Sequence, residues 1–577
     1  MEEKAQKIRH SLSHLLASAI MEFYPKAKLA IGPAIENGFY YDIEISGSLT
    51  PADLTKIENK MKELIRENQK FIGKKVTKAV AKKLFKNSPY KIEIIKELPG
   101  KTVGTYQNGN FLDLCKGGHV DNTKEIDPNA FKLTKIAGAY WRGDEKNKML
   151  TRIYGVAFET SKELADYLKM QEEAEKRDHR VLGEKLDLFT ISEQVGKGLP
   201  LFTPKGTLLR ELLSDYSEEL RAKMGWQKVW SPHITKNDLY KTSGHWDKFG
   251  DELFLVESQE TKDELVMKPM NCPHHQQIYA SKPRSYKDLP IKYMETTTVY
   301  RDEKAGELLG LSRVRSITQD DSHTFCTPEQ IEQIYQEVIE TTKTFYEKIG
   351  MPLRARLSFR DSKQPKKYLG EPKLWEKAQK ILLNIAKNNN LDYFVAEGEA
   401  AFYGPKIDFI AKDSLGREWQ LATPQLDFVQ PKRFDLTYVD NEGKQQTPVM
   451  IHFALMGSIE RFLSVYIEHT AGVFPLWLSP VQVVVIPISE KHIEYAKKVK
   501  EDLIKNNIRV ELKDENETLG KKIRESEMQK IPYLLVIGDK EVQSNSVSVR
   551  ERNKGDLGQI TMEKFIDKIN QEIKEKK

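Results

Sequence analysis

The chain has 577 residues, 31% charged and 39% hydrophobic, with 91 Lys and Arg against 85 Asp and Glu for a net charge of +6. That length accommodates about three or four domains of ordinary size, and the mild basic excess permits a polyanionic partner without requiring one. Three cysteines, Cys115, Cys272 and Cys326, exclude a disulfide framework and fit a reducing compartment. The first twenty residues lack the unbroken apolar core of a signal peptide, and no apolar run approaches membrane-spanning length, so a cytoplasmic protein with no membrane span is expected.

Residues 1–157 mix strand and helix signals. His10 and His14 stand four apart on a helical pattern and share one face. A Thr-Pro start precedes the charged amphipathic stretch PADLTKIENKMKELIRENQ, which predicts a helix. FLDLCKGGH contributes Asp113, Cys115 and His119, and TRIYGVAF near 151–158 reads as a strand. Residues 158–186 are helical in pattern, charged and poor in large apolar residues, and read as a linker helix. Residues 187–479 predict one large α+β domain, with helices at 206–224 and 328–349 among strand-like runs such as WQLATPQLDFV. From 480 to 577, VQVVVIPI, IRVELKD, PYLLVIGDKEV and SVSVRER read as strands alternating with helices. That is the pattern of a small doubly wound α/β domain, with Pro475 and Pro480 at its boundary.

The central domain carries three signals in order. A helix, GTLLRELLSDYSEELRAKMG, leads into QKVWSPHI, read as a strand broken or edged by Pro232. VYRDEKAGELLGLSRVRSITQDDSHTFC (299–326) reads as strand, basic loop and strand, and an arginine at such a strand end can grip a phosphate by a bidentate fork. ALMGSIERFLSVYIEH (454–469) reads as strand end, glycine turn and helix, with Arg461 in the first turns. Cys272, His323 and His452 are zinc-type donors, but their spacing is too long for sequence alone to join them. His274 and His275 compete with His452 on composition.

Together the three signals resemble motifs 1, 2 and 3 of class II aminoacyl-tRNA synthetases. MKPMNCPHH, FYGPKIDF and WQLATPQLDF further resemble the threonyl-tRNA synthetases of that class, over essentially the whole chain. The resemblance implies an α+β multidomain protein: an antiparallel catalytic core, an N-terminal α+β editing domain and a C-terminal α/β anticodon-binding domain. It implies activation of threonine with ATP and Mg2+, transfer to tRNA(Thr), and a homodimer built through motif 1. It assigns the α-phosphate to Arg301, the γ-phosphate to Arg461, adenine to Glu303, and supporting ATP contacts to Arg313, Gln420 and Ser458. It also implies one zinc ion per subunit on Cys272, His323 and His452, and a pocket of Met270, Tyr403 and Asp321. Asp321 would take the threonine hydroxyl proton, and Gln319 and Lys406 would serve the carboxylate and phosphate side. Phe453 stands where many bacterial relatives have arginine, which puts the surroundings of the third ligand in question. A ligase for proline or serine, or an RNA-binding paralogue without catalysis, are the competing readings. The zinc trio and the intact arginines argue against them.

A site that coordinates a hydroxyl rejects valine by a factor on the order of 10⁴–10⁵, whereas serine lacks only a methyl, worth about 1–3 kcal/mol. Serine therefore leaks, and a correction site is expected. Taken as residues, His10, His14, Cys115 and His119 suit either a zinc site or a hydrolytic pocket with a polarised water. The editing-domain resemblance implies metal-free hydrolysis of Ser-tRNA by these four with Asp113. Gly118 replaces an expected proline, which loosens the loop before His119. The ubiquitin-like domain that opens many relatives is expected to be absent. At the other end, the resemblance makes Asn516, Glu541 and Arg550 readers of splayed anticodon bases.

Overall fold

The computed structural model describes residues 2–577, so Met1 lies outside the description. The chain forms two compact units, one running to Glu173 and one from Ala174 to Lys577.

The first unit is built on α1 (Glu2–Phe23), whose apolar side buries Ile8, Leu12, Leu15, Leu16 and Ile20 in one core with the strand β1 (Gly38–Glu44) and α2 (Pro51–Arg66). α2 starts where the Thr-Pro signal places it. Pro51 takes the first turn, where no N–H is needed, and Asp53 folds back onto the Thr50 N–H at 2.9 Å. Next come β2 (Phe71–Thr77), α3 (Pro89–Glu97), β3 (Thr102–Asn108) and β4 (Phe111–Leu114). β2, β3 and β4 form an antiparallel meander. β5 (Phe131–Tyr140) and β6 (Met149–Ala157) join β1 in a second antiparallel sheet.

The segment read as one linker helix is two: α4 (Ser161–Arg177) and α5 (His179–Lys185). Asp178 breaks it by leaving the helical region and capping α5 through the Arg180 N–H.

The second unit takes in the last turn of α4 and continues with α5 and α6 (Pro204–Lys223), then β7 (Gln227–Lys228), α7 (Cys272–Ala280), β8 (Ile291–Tyr300), β9 (Ser316–Cys326) and α8 (Ile331–Lys348). β10 (Leu353–Phe359), β11 (Tyr393–Glu397), β12 (Lys406–Lys412), β13 (Glu418–Gln420), β14 (Thr423–Asp427), β15 (Val449–Ser458) and α9 (Ile459–Thr470) follow. The sheet order is β7-β8-β9-β15-β14-β12-β10-β11, with β13 paired to β12. It is antiparallel apart from its two outer pairs, β7–β8 and β10–β11. Two expectations change here. Pro232 lies beyond β7, which is cut short, so it breaks no strand ladder. WQLATPQLDFV is two strands, β13 on β12 and β14 on β15, because Leu421 and Ala422 turn inward to pack.

The C-terminal part comprises β16 (Val483–Pro487), α10 (Ile493–Lys505), β17 (Val510–Leu512), α11 (Leu519–Met528), β18 (Tyr533–Ile537), α12 (Asp539–Ser544), β19 (Ser546–Glu551), β20 (Gly555–Thr561) and α13 (Met562–Lys574). β17, β16 and β18 run parallel, but β19 and β20 add antiparallel strands, so the sheet is mixed rather than doubly wound. The three residues between β19 and β20 are too few for a parallel crossover. DKEV is helical rather than a strand continuation, since Glu541 accepts the Gly538 N–H at 2.9 Å and starts α12.

Candidate functional site

β8 delivers the chain to Arg301, and residues 301–315 loop out and return as β9. This loop forms one wall of a cleft of about 580 Å³ over the central strands. Seven predicted residues line it: Arg301, Glu303, Arg313, Gln319, Gln420, Ser458 and Arg461. Arg301 Nη2 meets Met270 Sδ at 2.9 Å and its guanidinium lies 4.8 Å from the centre of the Phe249 ring, while its buried Nε has no protein partner. Gln319 Oε1 is likewise buried and unpaired. Such groups are costly unless something fills the cleft. Ser458 Oγ caps α9 by accepting the Arg461 N–H, which fixes where Arg461 leaves the helix. Burial, and secondarily the nearby charge of Arg313, lower the Arg461 guanidinium pKa. Arg313 donates to Glu303 at 2.7 Å. Lys406 does not line the cleft. It pairs at 3.0 Å with buried Asp408, which also receives Gln420 at 2.8 Å and Arg356 at 2.9 Å.

Further along the same face of the sheet, Cys272 Sγ, His323 and His452 converge, with one donor atom of each within 4.8 Å of the others. Cys272 starts α7; His323 and His452 are cross-strand partners on β9 and β15. His452 Nε2 donates to Asp427 at 2.9 Å, leaving a lone pair on Nδ1. His275 Nε2 donates to Glu295 at 3.1 Å, so its Nδ1 accepts from His323 Nδ1 at 2.8 Å and the lone pair of His323 sits on Nε2. The two lone pairs face each other across 3.1 Å. Burial holds His323 well below its ordinary pKa, so protonation does not relieve the contact, and it raises the Cys272 thiol. Of the competing histidines, His275 backs His323, and His274 is buried with neither nitrogen bonded and lies outside the trio. Tyr403 stacks on His452, ring centres 4.7 Å apart, and donates to Gln425 at 2.6 Å. Asp321 accepts from Asn271 at 3.1 Å, and burial raises its carboxyl against His275 and that hydrogen bond.

In the first unit His10, His14, Cys115 and His119 also converge within 4.8 Å, beside a cavity of about 510 Å³ lined by all of them except His119. Ser11 Oγ donates to the Lys7 carbonyl, so the His119 Nδ1 proton points into Ser11 Oγ at 3.3 Å. His119 Nε2 is then free to accept the Cys115 thiol proton at 3.2 Å. Burial lowers His10, takes His14 to about 4 and, with the neighbouring histidines, takes His119 to about 2. All three are neutral at physiological pH. Asp113 is buried against Lys91 at 2.5 Å and the Tyr41 hydroxyl at 2.6 Å. Burial would raise it, but Lys91 and His14 outweigh that and hold it below the usual value. Gly118 has φ +93°, which proline cannot adopt, so glycine suits this loop's path.

The family model described as "tRNA synthetase class II core domain (G, H, P, S and T)" matches residues 254–470, "Anticodon binding domain" 482–572, and "Threonyl and Alanyl tRNA synthetase second additional domain" 103–154. The threonine–tRNA ligase of Gloeobacter violaceus is 47% identical over 99% of this chain and 93% of its own length. The chain belongs to the threonine–tRNA ligase family. The threonine–tRNA ligase of Thermotoga neapolitana is also 47% identical, over 100% of this chain and 89% of its own. A crystal structure of the RNA binding domain of threonyl-tRNA synthetase from Cryptosporidium parvum is similar with a TM-score of 0.65 at 38% identity, covering 68% of this chain and 98% of that one.

In this ligase, Phe453 points away from the trio into the core, 6.2 Å from the Trp226 ring centre, because it alternates with His452 along β15. His452 is backed by Asp427 and stacked by Tyr403, and Phe453 contributes to neither contact. Sequence reasoning missed Asp427, Glu295, Lys91 and Tyr41, and it weighed His275 only as a rival ligand, not as the group behind His323. Nothing local in the sequence pairs any of these with its partner. The C-terminal readers are not brought together. Arg550 lines a cavity of about 290 Å³ that includes neither Asn516 nor Glu541; Asn516 is on an exposed bend, and Glu541 is engaged in its helix cap.

Proposed function

We propose that this ligase activates threonine with ATP at the central cleft, transfers it to tRNA(Thr), and hydrolyses Ser-tRNA(Thr) in its first unit. The observation that carries the reading is the pair of buried lone pairs on His323 and His452. With a Cys272 thiolate they form a donor set suited to zinc, each imidazole held by a group behind it. We assign one zinc ion per chain to these residues. Bound there, it supplies Lewis acidity and open positions for the amino and hydroxyl groups of threonine. Asp321 receives the hydroxyl proton.

Arg301, with its unpaired Nε, takes the α-phosphate of ATP, and Arg461 the γ-phosphate, with Mg2+ accompanying the nucleotide. The threonine carboxylate attacks the α-phosphorus, diphosphate leaves, and threonyl-adenylate forms. A terminal hydroxyl of tRNA then attacks the carbonyl carbon and AMP leaves. Preorganised cations favour the first step because they need no rearrangement as charge develops. Glu303 and Gln420 serve adenine and the ribose–phosphate side, and Gln319 the carboxylate. Lys406 acts through Asp408, which it helps to hold.

In the first unit, one of the neutral His10 and His14 accepts a proton from water as it attacks the seryl carbonyl and returns it to the departing tRNA oxygen, releasing serine and tRNA with its hydroxyl restored. We assign residues 1–157 to editing, 187–479 to catalysis and 480–577 to anticodon binding, with the segment 158–186 between them. We further assign a cytoplasmic homodimer; among the described residues no helix is long and apolar enough to cross a membrane. Aminoacylation of tRNA(Thr) with threonine and serine tests the whole reading: stable Thr-tRNA and transient Ser-tRNA support it, and stable charging with proline overturns it.

A further inference from the structure

Away from the cleft, Asp178, His179 and Glu468 bring ligand-type atoms together. Hydrogen bonds already account for them. Asp178 caps α5. Glu468, in the last turn of α9, accepts from the His179 backbone N–H at 3.1 Å and from ring Nδ1 at 2.7 Å. A carboxylate only accepts, so His179 carries its proton on Nδ1 and a lone pair on Nε2. That lone pair accepts the backbone N–H of Leu311 at 3.0 Å. The ring lies flush on the turn: Gly310 has φ +49°, and a Cβ there would come within 2.2 Å of His179 Nε2.

Leu311 is buried, and the next residues, Ser312 and Arg313, line the cleft. Glu468 also leads to the opposite wall. It receives Arg417 at 2.5 Å; Arg417 donates to Asp413 at 2.7 Å, and the Trp419 indole donates to Asp413 at 2.9 Å. Trp419 lines the cleft too. Among the described residues, His179 is thus held between two walls of a site it does not line.

We propose that His179 is a positioning residue for nucleotide binding: held by Glu468, it accepts the Leu311 N–H and so sets the loop that presents Ser312 and Arg313 to ATP. This rests on reading the cleft as the ATP site.

ATP–pyrophosphate exchange with the full chain tests it. In His179→Asn the amide keeps a donor near Nδ1 for Glu468 but has nothing at the position of Nε2. In His179→Gln the longer carbonyl reaches that position. Loss of one oriented hydrogen bond predicts about a tenfold rise in KM for ATP in the asparagine variant. KM for threonine and the melting temperature should hold, and the glutamine variant should recover most of the loss. An unchanged KM for ATP in His179→Asn overturns the proposal. So does equal damage to both KM values in both variants with lowered melting, the pattern of a merely structural role. Arg461→Ala separates the two readings. If it leaves KM for ATP unchanged, the cleft is not the ATP site and both fall. If it raises KM while His179→Asn does not, the ATP site stands and the positioning role falls.

Discussion

His323 Nε2 and His452 Nδ1 face each other 3.1 Å apart, each with a lone pair and each fixed from behind. Two acceptors buried in contact repel, and burial keeps His323 from protonating. A cation between them turns repulsion into coordination. Asp427→Asn should weaken this arrangement without removing a ligand. Changes behind a metal ligand cost about 10–100-fold in affinity, so the variant should lose zinc to a chelator at that much lower concentration. Retention equal to the unchanged chain would count against the assigned role of Asp427.

Amino-acid selection follows from the same site. Valine should give no pyrophosphate exchange above background, and serine should give measurable exchange, weaker than threonine by about 10–200-fold for one missing methyl. Exchange with valine as strong as with serine would remove the hydroxyl from the recognition scheme.

His10→Ala combined with His14→Ala should let Ser-tRNA(Thr) accumulate while threonine activation stays unchanged, because the pair lies in the first unit. Rapid decay of Ser-tRNA in the double variant would contradict the assignment.

How much of this is legible in the sequence depends on the kind of contact. α1, with His10 and His14 on one face, and α2 behind Thr50 and Pro51 follow from spacing and capping, which are local. Cys272, His323 and His452 are reached only by resemblance, since register between β9 and β15 joins them and no spacing rule encodes it. Asp427 escapes notice because it becomes a partner only when β14 pairs with β15. The DKEV helix is missed because a glutamate looking back to Gly538 resembles ordinary surface charge until the cap is seen. Phe453 reads as a defect beside the candidate zinc trio, but strand alternation turns it to the other face.

The pH response of the first unit follows from its depressed histidines. His14 at about 4 and His119 at about 2, both below the ordinary 6.5, take up protons more readily when unfolded. Their stabilisation is full above about pH 6.5 and is lost as pH falls, with His14's share gone near pH 4. Each tenfold loss of proton affinity on folding corresponds to about 1.4 kcal/mol, so His14 alone accounts for about 3 kcal/mol. Hydrogen-exchange protection of α1 in the full chain, corrected for the fall of the intrinsic exchange rate with pH, should therefore drop between about pH 6.5 and 4.5. In His14→Gln this slope should be markedly reduced, and an identical slope would show that His14 is not responsible.

The central claim is that Cys272, His323 and His452 hold a zinc ion that threonine needs. Its most direct test is threonine-dependent ATP–pyrophosphate exchange on protein of measured zinc content, before and after chelation and after adding zinc back. The account predicts one zinc per chain, loss of exchange in step with loss of metal, and recovery on reloading, with Cys272→Ser lacking both. Full threonine-dependent exchange by metal-free protein, or exchange with proline and not threonine, would contradict it.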